Sequence, residues 1–386
     1  MARSIAAQIK PELILWARES ISMDLETAAH KLGVSMERLH EWESGVAVPT
    51  MAQMRKVVSA YKRPLAVFFL PRPPKDFQAM RDFRRLPGIP DAPSTALLQE
   101  FRTVAARREF ALELAEAIGF KPQRFQATAS LKNRPELAAA QLRQRLGVSI
   151  EQQRRWKTEY DAWNAWRAAV ENLDVLVFQM SGIEVQESRG FSAHFSSFPI
   201  VVANTKDHPV ARCFTLMHEL GHLVLRGGAV CDHSVMGDSR DNPVEIWCNA
   251  FAAEVLVPVG DFRSVVSRFP YFDDWPRDAL VQLASRYRVS QEVVYRRLLK
   301  IQRASERAYK AWKSSFRSPS KSTKQSGGPE YAVRVVANVG RSFVELALSA
   351  YGEGQITAST LSGHLGANLK HLPRIQELIL SGRGDS

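Results

Sequence analysis

Cysteine is scarce in this chain of 386 residues, which contains only Cys213, Cys231 and Cys248. No two of them form a C-x-x-C pair, so the sequence indicates neither a disulfide framework nor a cysteine-based zinc knuckle. A protein without such a framework needs no oxidising compartment. We therefore expect it to reside in a reducing cytoplasm.

Long hydrophobic runs are also lacking. The N-terminal stretch MARSIAAQIKPELILW does not contain the apolar core of a signal peptide, and the run LAVFFL at 65–70 is far too short to span a bilayer. No internal repeat is visible either. These absences predict a chain without a targeting segment and without a membrane partner.

The overall composition is ordinary for a soluble globular protein, with 45% hydrophobic and 24% charged residues. A length of 386 residues is enough for two or three domains and a sizeable core. The formal net charge of +12 permits contact with nucleic acid or acidic proteins, but it does not require such contact.

Changes of pattern along the chain predict its domain organisation. The segments are a helix–turn–helix domain (1–75), a helical connector (76–172), a second compact domain (173–312, core 175–260), a flexible linker (313–330) and a small helical C-terminal region (331–386). Serine, lysine, glycine and proline accumulate in the linker, as in flexible segments. The predicted fold class is α+β and mostly helical.

Periodicity predicts the elements within these segments. Apolar residues recur at helical spacing near 95–118, 134–146, 152–172, 214–225, 244–257 and 279–312, and within 331–382. Short, partly alternating runs predict strands of a small sheet; they are VLVFQM, IEVQES, FSAHF and FPIVVAN, split by Gly182, Gly190 and Pro199.

One predicted helix, FTLMHELGHLVL at 214–225, is apolar but contains three polar side chains. Residues four apart share a face of a helix, so His218 and His222 can bind one metal ion together. Glu219 lies about 100° round the helix, where it can accept a proton from a water that the metal activates. Zinc suits two imidazoles and a carboxylate, and the HExxH spacing is typical of zinc peptidases.

A third protein ligand is expected from the helix VEIWCNAFAAEVLVP at 244–258, which offers Glu245 and Glu254. Nine residues separate them, which places them about 180° apart, so both cannot face one metal. Asn249 shares the face of Glu245 and could orient a ligand through a hydrogen bond. This favours Glu245, and Glu254 remains the alternative.

Together, FTLMHELGHLVL and VEIWCNAFAAEVLVP resemble the ImmA/IrrE family of zinc metallopeptidases, which pairs HExxH with a downstream Glu-x-x-Ala-Asn-x-Phe-Ala helix. Cys248 stands where that pattern has alanine. The likeness covers roughly residues 160–260. It implies a gluzincin-like zinc peptidase domain containing Zn2+, with a small sheet and a C-terminal helical appendage.

The same resemblance implies roles for individual residues. His218, His222 and Glu245 would be the zinc ligands, Glu219 the general base and Asn249 a supporting residue. The strand beside the active site, to which an extended peptide could add by β-augmentation, would be formed by Pro199, Ile200, Val201, Val202, Ala203 and Asn204. Family members known in outline cleave helix–turn–helix repressors, which implies a narrow choice of protein substrate.

Residues 9–61 resemble the lambda-repressor-like helix–turn–helix domains of the xenobiotic-response-element type. Gly33 is suited to end the second helix, about 25–32, and Ser35 to cap the recognition helix, about 35–43. Such a helix enters the major groove of double-stranded DNA; here its candidates for base contacts are Ser35, Met36, Arg38 and His40.

The predicted recognition helix is also acidic. It carries Glu37, Glu41 and Glu43 against a single arginine, and glutamate is repelled by phosphates although it can accept from cytosine. The same fold also serves protein contacts, including homodimerisation. DNA binding and protein contact therefore both remain open for this domain.

Two hypotheses about function follow. The first is a zinc-dependent endopeptidase that cleaves a specific regulatory protein, a repressor or antitoxin, and binds DNA through its N-terminal domain. The second is a DNA-binding transcriptional regulator, or an antitoxin-like protein, whose metal site is structural or sensory. By family analogy, both fit a stress-response or toxin–antitoxin setting. Glu219 favours the first, because a structural zinc site needs ligands but no general base.

Overall fold

A computed structural model describes residues 9–63, 65–73, 93–226, 242–315 and 330–381. The chain divides into two compact units, Met1–Glu109 and Phe110–Ser386. Three stretches that figure in the sequence predictions lie outside the described residues: 74–92 at the start of the connector, 227–241 with Cys231, and 316–329 in the linker. Within the described ranges, none of the helices has the length and apolar character that crossing a bilayer requires.

The first unit is built from helices. They are α1 (Pro11–Glu19), α2 (Leu25–Leu32), α3 (Met36–Ser44) and α4 (Met51–Tyr61), then a 3-10 helix (Leu65–Phe69) and α5 (Thr95–Ala117), which continues into the second unit. Gly33 ends α2 with a left-handed backbone, φ +68°. The Ser35 hydroxyl then accepts the backbone N–H of Arg38 at 3.2 Å and so caps α3. The predicted connection between α2 and α3 is confirmed.

The second unit combines many helices with one small sheet. Its helices after α5 are α6 (Pro135–Leu146), α7 (Ile150–Arg155), α8 (Glu159–Glu171), α9 (Pro209–Arg226), α10 (Pro243–Leu256), α11 (Val259–Val266), α12 (Arg277–Tyr287), α13 (Gln291–Lys300), α14 (Glu306–Ser315), α15 (Tyr331–Val339), α16 (Arg341–Gly352), α17 (Ala358–Leu365) and α18 (Leu372–Ser381), with a 3-10 turn at Leu369–His371. The strands are β1 (Leu176–Met180), β2 (Gly190–Ala193) and β3 (Ile200–Asn204). The predicted class, α+β and mostly helical, is confirmed.

The sheet has the order β1-β3-β2, with β3 parallel to β1 and antiparallel to β2. All five residues of β3 are buried. Helix α9 follows β3 after a short turn and packs against β2, β3 and α10. This packing places the HExxH segment between the sheet and the helix that carries Glu245.

The prediction of a strand for IEVQES (183–188) is wrong. The backbone folds into turns there, and the Glu184 carbonyl accepts the N–H groups of Glu187 and Ser188 at 3.0 and 3.1 Å. The buried side-chain amide of Asn204 donates to the carbonyls of Ile183 and Ser188 at 3.0 and 2.8 Å. These bonds use backbone groups that a strand would need for pairing.

One long helix predicted from periodicity is interrupted. The helix predicted at 152–172 is α7 followed by α8, because the Thr158 hydroxyl accepts from Asp161 N–H at 3.0 Å and the Asp161 carboxylate accepts from Thr158 N–H at 2.9 Å. This reciprocal capping starts a new helix. The region predicted to be helical at 279–312 consists of α12, α13 and α14; Arg288 adopts φ +52° between the first two, and Ser290 caps α13.

The C-terminal helices pack on the sheet of the second unit. The carbonyl of Ala337, in α15, accepts from the side chains of both Arg167 and Gln179. The buried carboxylate of Glu171, ion-paired to Arg167 at 2.8 Å, accepts the backbone N–H of Ser342 at 3.2 Å. The turn between α15 and α16 is therefore fixed to α8 and β1.

Gly340 forms that turn, and we expect Gly340→Ala to destabilise the second unit. Its φ is +96°, and a Cβ atom there would lie 2.9 Å from the Val177 carbonyl oxygen. Backbone strain and steric overlap together should lower the free energy of unfolding by about 2–3 kcal/mol. Gly354→Ala is the matched control: φ is +72°, but nothing lies within 4 Å of its Cβ, so only about 1 kcal/mol is expected. Urea unfolding of the full chain measures both, and equal losses would contradict the packing argument.

Candidate metal centre

Helix α9 presents the polar residues of the HExxH segment from an otherwise buried helix. It begins at Pro209 and runs for 18 residues. Its completely buried apolar side chains in this region are Leu216, Met217, Leu220 and Leu223. Because these side chains fix the rotation of the helix, His218 and His222 face α10 and Glu219 faces the sheet.

Gly221 allows α9 and α10 to approach closely. A Cβ atom at this position would lie 3.2 Å from Cys248 Sγ, 3.2 Å from Phe251 Cδ1 and 3.3 Å from Cys248 Cα. Contacts of this length are tighter than side chains ordinarily tolerate, so a larger residue would push the helices apart. The close approach brings Glu245, near the start of α10, to the two imidazoles.

Ligand atoms of three side chains converge between these helices. His218 Nε2 lies 3.1 Å from His222 Nε2. The two oxygens of Glu245 lie 3.1 Å from His218 Nε2 and 3.3 Å from His222 Nε2. Among the described residues, this is the one group of three or more His, Cys, Asp or Glu side chains whose ligand atoms cluster in this way.

The spacing of these atoms fits zinc. Tetrahedral zinc with bonds of about 2.0–2.2 Å has ligand atoms about 3.3–3.5 Å apart. The two imidazole nitrogens are 3.1 Å apart, and the nearest Glu245 oxygen to each of them, Oε2 for His218 and Oε1 for His222, lies at 3.1 and 3.3 Å, close to this range. Two imidazoles and a carboxylate are also donors that zinc prefers. The donor types and their spacing therefore fit a zinc ion between α9 and α10.

Hydrogen bonds orient the ligands. The Nδ1–H of His218 donates to Asn249 Oδ1 at 3.1 Å, which leaves Nε2 as the metal-facing nitrogen. Burial opposes ionisation of Glu245, but hydrogen bonds from His218 and His222 outweigh it and hold the pKa of this carboxyl well below its ordinary value. Burial lowers the pKa of His218, whereas the hydrogen bond to Glu245 and the charges of Glu219 and Glu245 raise it, with a net increase.

Glu219 is not part of this triangle and contacts the sheet instead. Its side chain is buried, with the residue 7% exposed. One carboxylate oxygen, Oε2, accepts a hydrogen bond from the Ser192 hydroxyl at 2.7 Å. Ser192 belongs to β2 and is not among the site residues predicted from the sequence. A single serine in a short strand gives no sequence signal, because the contact depends on how β2 packs against α9.

Glu254, the alternative ligand, lies elsewhere. Its carboxylate forms a buried ion pair with Arg297 and accepts the backbone N–H of Val259 at 2.9 Å. These contacts are those of a structural carboxylate that connects α10 to α11 and α13. Glu245 and Glu254 lie about 180° apart around the axis of one helix, and this accounts for their different surroundings.

The substrate strand predicted at Pro199, Ile200, Val201, Val202, Ala203 and Asn204 is wrong as a site of strand addition. β3 is the middle strand of the sheet and pairs with β1 on one side and β2 on the other. Its backbone N–H and carbonyl groups are therefore already engaged in pairing with these two strands. Among the described strands β2 is the one beside α9 with an unpaired edge.

The residues predicted to contact DNA lie at the start and along the exposed side of α3, opposite the buried Leu39 and Trp42. Met36 is 44% exposed, and His40 is also exposed. The Ser35 hydroxyl is engaged in capping α3. The Arg38 guanidinium is ion-paired to Glu41 at 2.7 Å.

Comparison with known protein families agrees with this arrangement. Residues 170–299, which include α9, α10 and the sheet, match the peptidase family described as the IrrE N-terminal-like domain. Residues 14–68 match the helix-turn-helix family. No curated protein matches the chain. The chain therefore combines an N-terminal helix-turn-helix domain with a peptidase domain of the IrrE N-terminal-like family.

Proposed function

We propose that this chain is a zinc-dependent endopeptidase that cleaves a specific regulatory protein in the cytoplasm. The observation that carries the proposal is the triangle of His218, His222 and Glu245, whose ligand atoms are 3.1–3.3 Å apart, with Glu219 on the same helix. Such a constellation within a peptidase domain supports metal-assisted hydrolysis of a peptide bond.

The three ligands would hold Zn2+, and Asn249 would fix the orientation of His218. When bound there, zinc acts as a Lewis acid that lowers the pKa of a water and polarises the peptide carbonyl. Glu219 takes a proton from the attacking water as it adds to the carbonyl carbon. As the C–N bond breaks, Glu219 gives that proton to the departing amine nitrogen.

The number of ligands supports catalysis over a purely structural site. Structural zinc is usually held by four protein donors, whereas catalytic zinc keeps one position for water or substrate. The described part of the chain contributes three donors of the His, Cys, Asp or Glu types to this cluster. Glu219 adds a group that a structural site does not need.

The outer edge of β2 is the proposed binding site for an extended substrate backbone. The carbonyl oxygen of Arg189 accepts the backbone N–H of Asn204, which is its partner on β3, at 2.8 Å. The direction of backbone groups alternates along an antiparallel strand. The N–H and carbonyl of Phe191 therefore also point toward β3, whereas those of Gly190 and Ser192 point outward. An extended peptide can pair with these outward groups by β-augmentation.

The proposed substrate is a helix–turn–helix repressor or an antitoxin, in a stress-response or toxin–antitoxin setting. The helix-turn-helix domain of the chain supports a role in transcription regulation. We further propose that α3 contacts double-stranded DNA through Met36 and His40, whose side chains are exposed. Once its ion pair with Glu41 opens, the Arg38 guanidinium would contact a phosphate of the DNA backbone. Homodimerisation through this domain remains a prediction.

Removal and return of zinc test the peptidase proposal. The full chain, stripped with a chelator and then reloaded with Zn2+, is incubated with a peptide mixture from a digested bacterial proteome, and new termini are identified by mass spectrometry. We expect cleavage to stop on stripping and to return on reloading. A regulator with a structural or sensory metal site would produce no new termini in either state, and that result would support the rival function.

A further inference from the structure

We propose that Ser192 is a positioning residue for the general base Glu219, and that Gly190 sets the distance between them. This inference rests on the proposed peptidase function. It concerns the two strand residues that face α9, neither of which belongs to the predicted metal site.

The contact between Ser192 and Glu219 is short and buried. Ser192 Oγ donates to Glu219 Oε2 at 2.7 Å, and the two residues are 4% and 7% exposed. Hydrogen bonds to an ionised acceptor are stronger than neutral ones, and more so where water is excluded. No other described residue donates to this carboxylate, so Ser192 alone among them holds it.

Fixing one oxygen has a direct consequence for proton transfer. The terminal torsion of a glutamate is broad, so a carboxylate without a partner samples many orientations. Ser192 restrains Oε2 and leaves Oε1 without a hydrogen-bond partner among the described residues. Oε1 is therefore the oxygen that exchanges the proton with water and with the departing amine.

The distance between β2 and α9 depends on Gly190. A Cβ atom at this position would lie 2.5 Å from Thr215 Cγ2 and 2.5 Å from the Val202 carbonyl oxygen, which is closer than atoms can approach. Gly190 and Ser192 are two apart on one face of β2, and Thr215 and Glu219 are four apart on one face of α9. The missing side chain at 190 thus lets the short serine reach the glutamate.

The same serine connects the base to the substrate edge. The side chain of Ser192 faces Glu219, while its backbone N–H and carbonyl face the outer edge of β2, since the hydrogen-bonded pairs on this strand are the odd-numbered residues. A peptide that pairs with this edge is therefore held by the residue that orients the base. A serine that served only to stabilise the fold would not need to contact Glu219 and present its backbone groups to the substrate.

The test compares Ser192→Ala, Ser192→Cys and Ser192→Thr with the wild-type full chain. Cysteine is only slightly larger than serine but its thiol is a weak donor, whereas threonine keeps the hydroxyl. With the most rapidly cleaved peptide of the proteome mixture as substrate, we expect kcat to fall about 10- to 100-fold in the alanine and cysteine variants, since misplaced catalytic groups lose rate on this scale. KM and zinc content should stay within about twofold of wild type, and threonine should restore most of kcat.

Ser362→Ala is the matched control, because this partly buried hydroxyl donates to the Ala367 carbonyl and belongs neither to β2 nor to the surroundings of Glu219. It should leave kcat within about threefold of wild type. Unchanged kcat in Ser192→Ala and Ser192→Cys, beside active wild type, overturns the positioning role alone. Should wild type cleave nothing, crystal structures of the zinc-loaded full chain decide: a Glu219 carboxylate that keeps its place in Ser192→Ala also overturns it.

Discussion

Replacement of Glu245 by glutamine is expected to release the metal ion and to abolish cleavage. The side chain loses its charge, and a neutral amide oxygen is a much weaker zinc ligand than a carboxylate. Loss of a partner that merely orients a ligand costs roughly 10- to 100-fold in metal affinity, so loss of a ligand itself should exceed 100-fold. Zinc titration of the stripped full chain against a competing chelator measures the change.

Glu254→Gln is the matched control on the same helix. It should keep its zinc affinity but lower the free energy of unfolding by about 3–5 kcal/mol, because Arg297 would be left as a buried charge without its partner. Opposite results would contradict the assignment of the two carboxylates: zinc lost from a folded Glu254→Gln variant, or zinc retained at full affinity by Glu245→Gln.

Glu219→Gln should have the second large effect, with zinc retained and cleavage nearly lost. An amide cannot accept the proton of the attacking water, so kcat should fall by about 10²- to 10⁴-fold, the usual contribution of a general base. The glutamine carbonyl can still accept from Ser192, so the side chain should keep its place. Zinc content and the rate of appearance of new termini are measured on the same preparations.

The control for this substitution is Glu116→Gln, an identical chemical change at an exposed carboxylate on α5. It should cleave at the wild-type rate. Cleavage by Glu219→Gln within about twofold of wild type would remove Glu219 from the mechanism, because loss of a general base cannot be so mild. The chemistry would then need another proton acceptor.

Features that depend on a few neighbouring residues could be predicted from the sequence. Gly33 and Ser35 specify the turn between α2 and α3 because a left-handed glycine and a capping hydroxyl act within one helical turn. The shared face of His218 and His222 follows from helix geometry alone. The same geometry places Glu245 and Glu254 on opposite faces of one helix. The grouping of Glu245 with the two histidines could therefore be predicted from the sequence.

Features that depend on distant segments could not be predicted in this way. IEVQES has a strand-like pattern, but the side chain of Asn204 fixes it as turns. The central place of β3, and hence the outer edge on β2, follows from strand order, which periodicity does not encode. Ser192 reaches Glu219 because Gly190 lets β2 approach α9, a contact between segments 27 residues apart.

The most direct test of the account is anomalous diffraction at the zinc absorption edge from crystals of the full chain. We predict one zinc ion bonded to Nε2 of His218, Nε2 of His222 and an oxygen of Glu245, at about 2.0–2.2 Å. The account would be contradicted by zinc-grown crystals without an anomalous peak between these three side chains, or by an ion held there without Glu245.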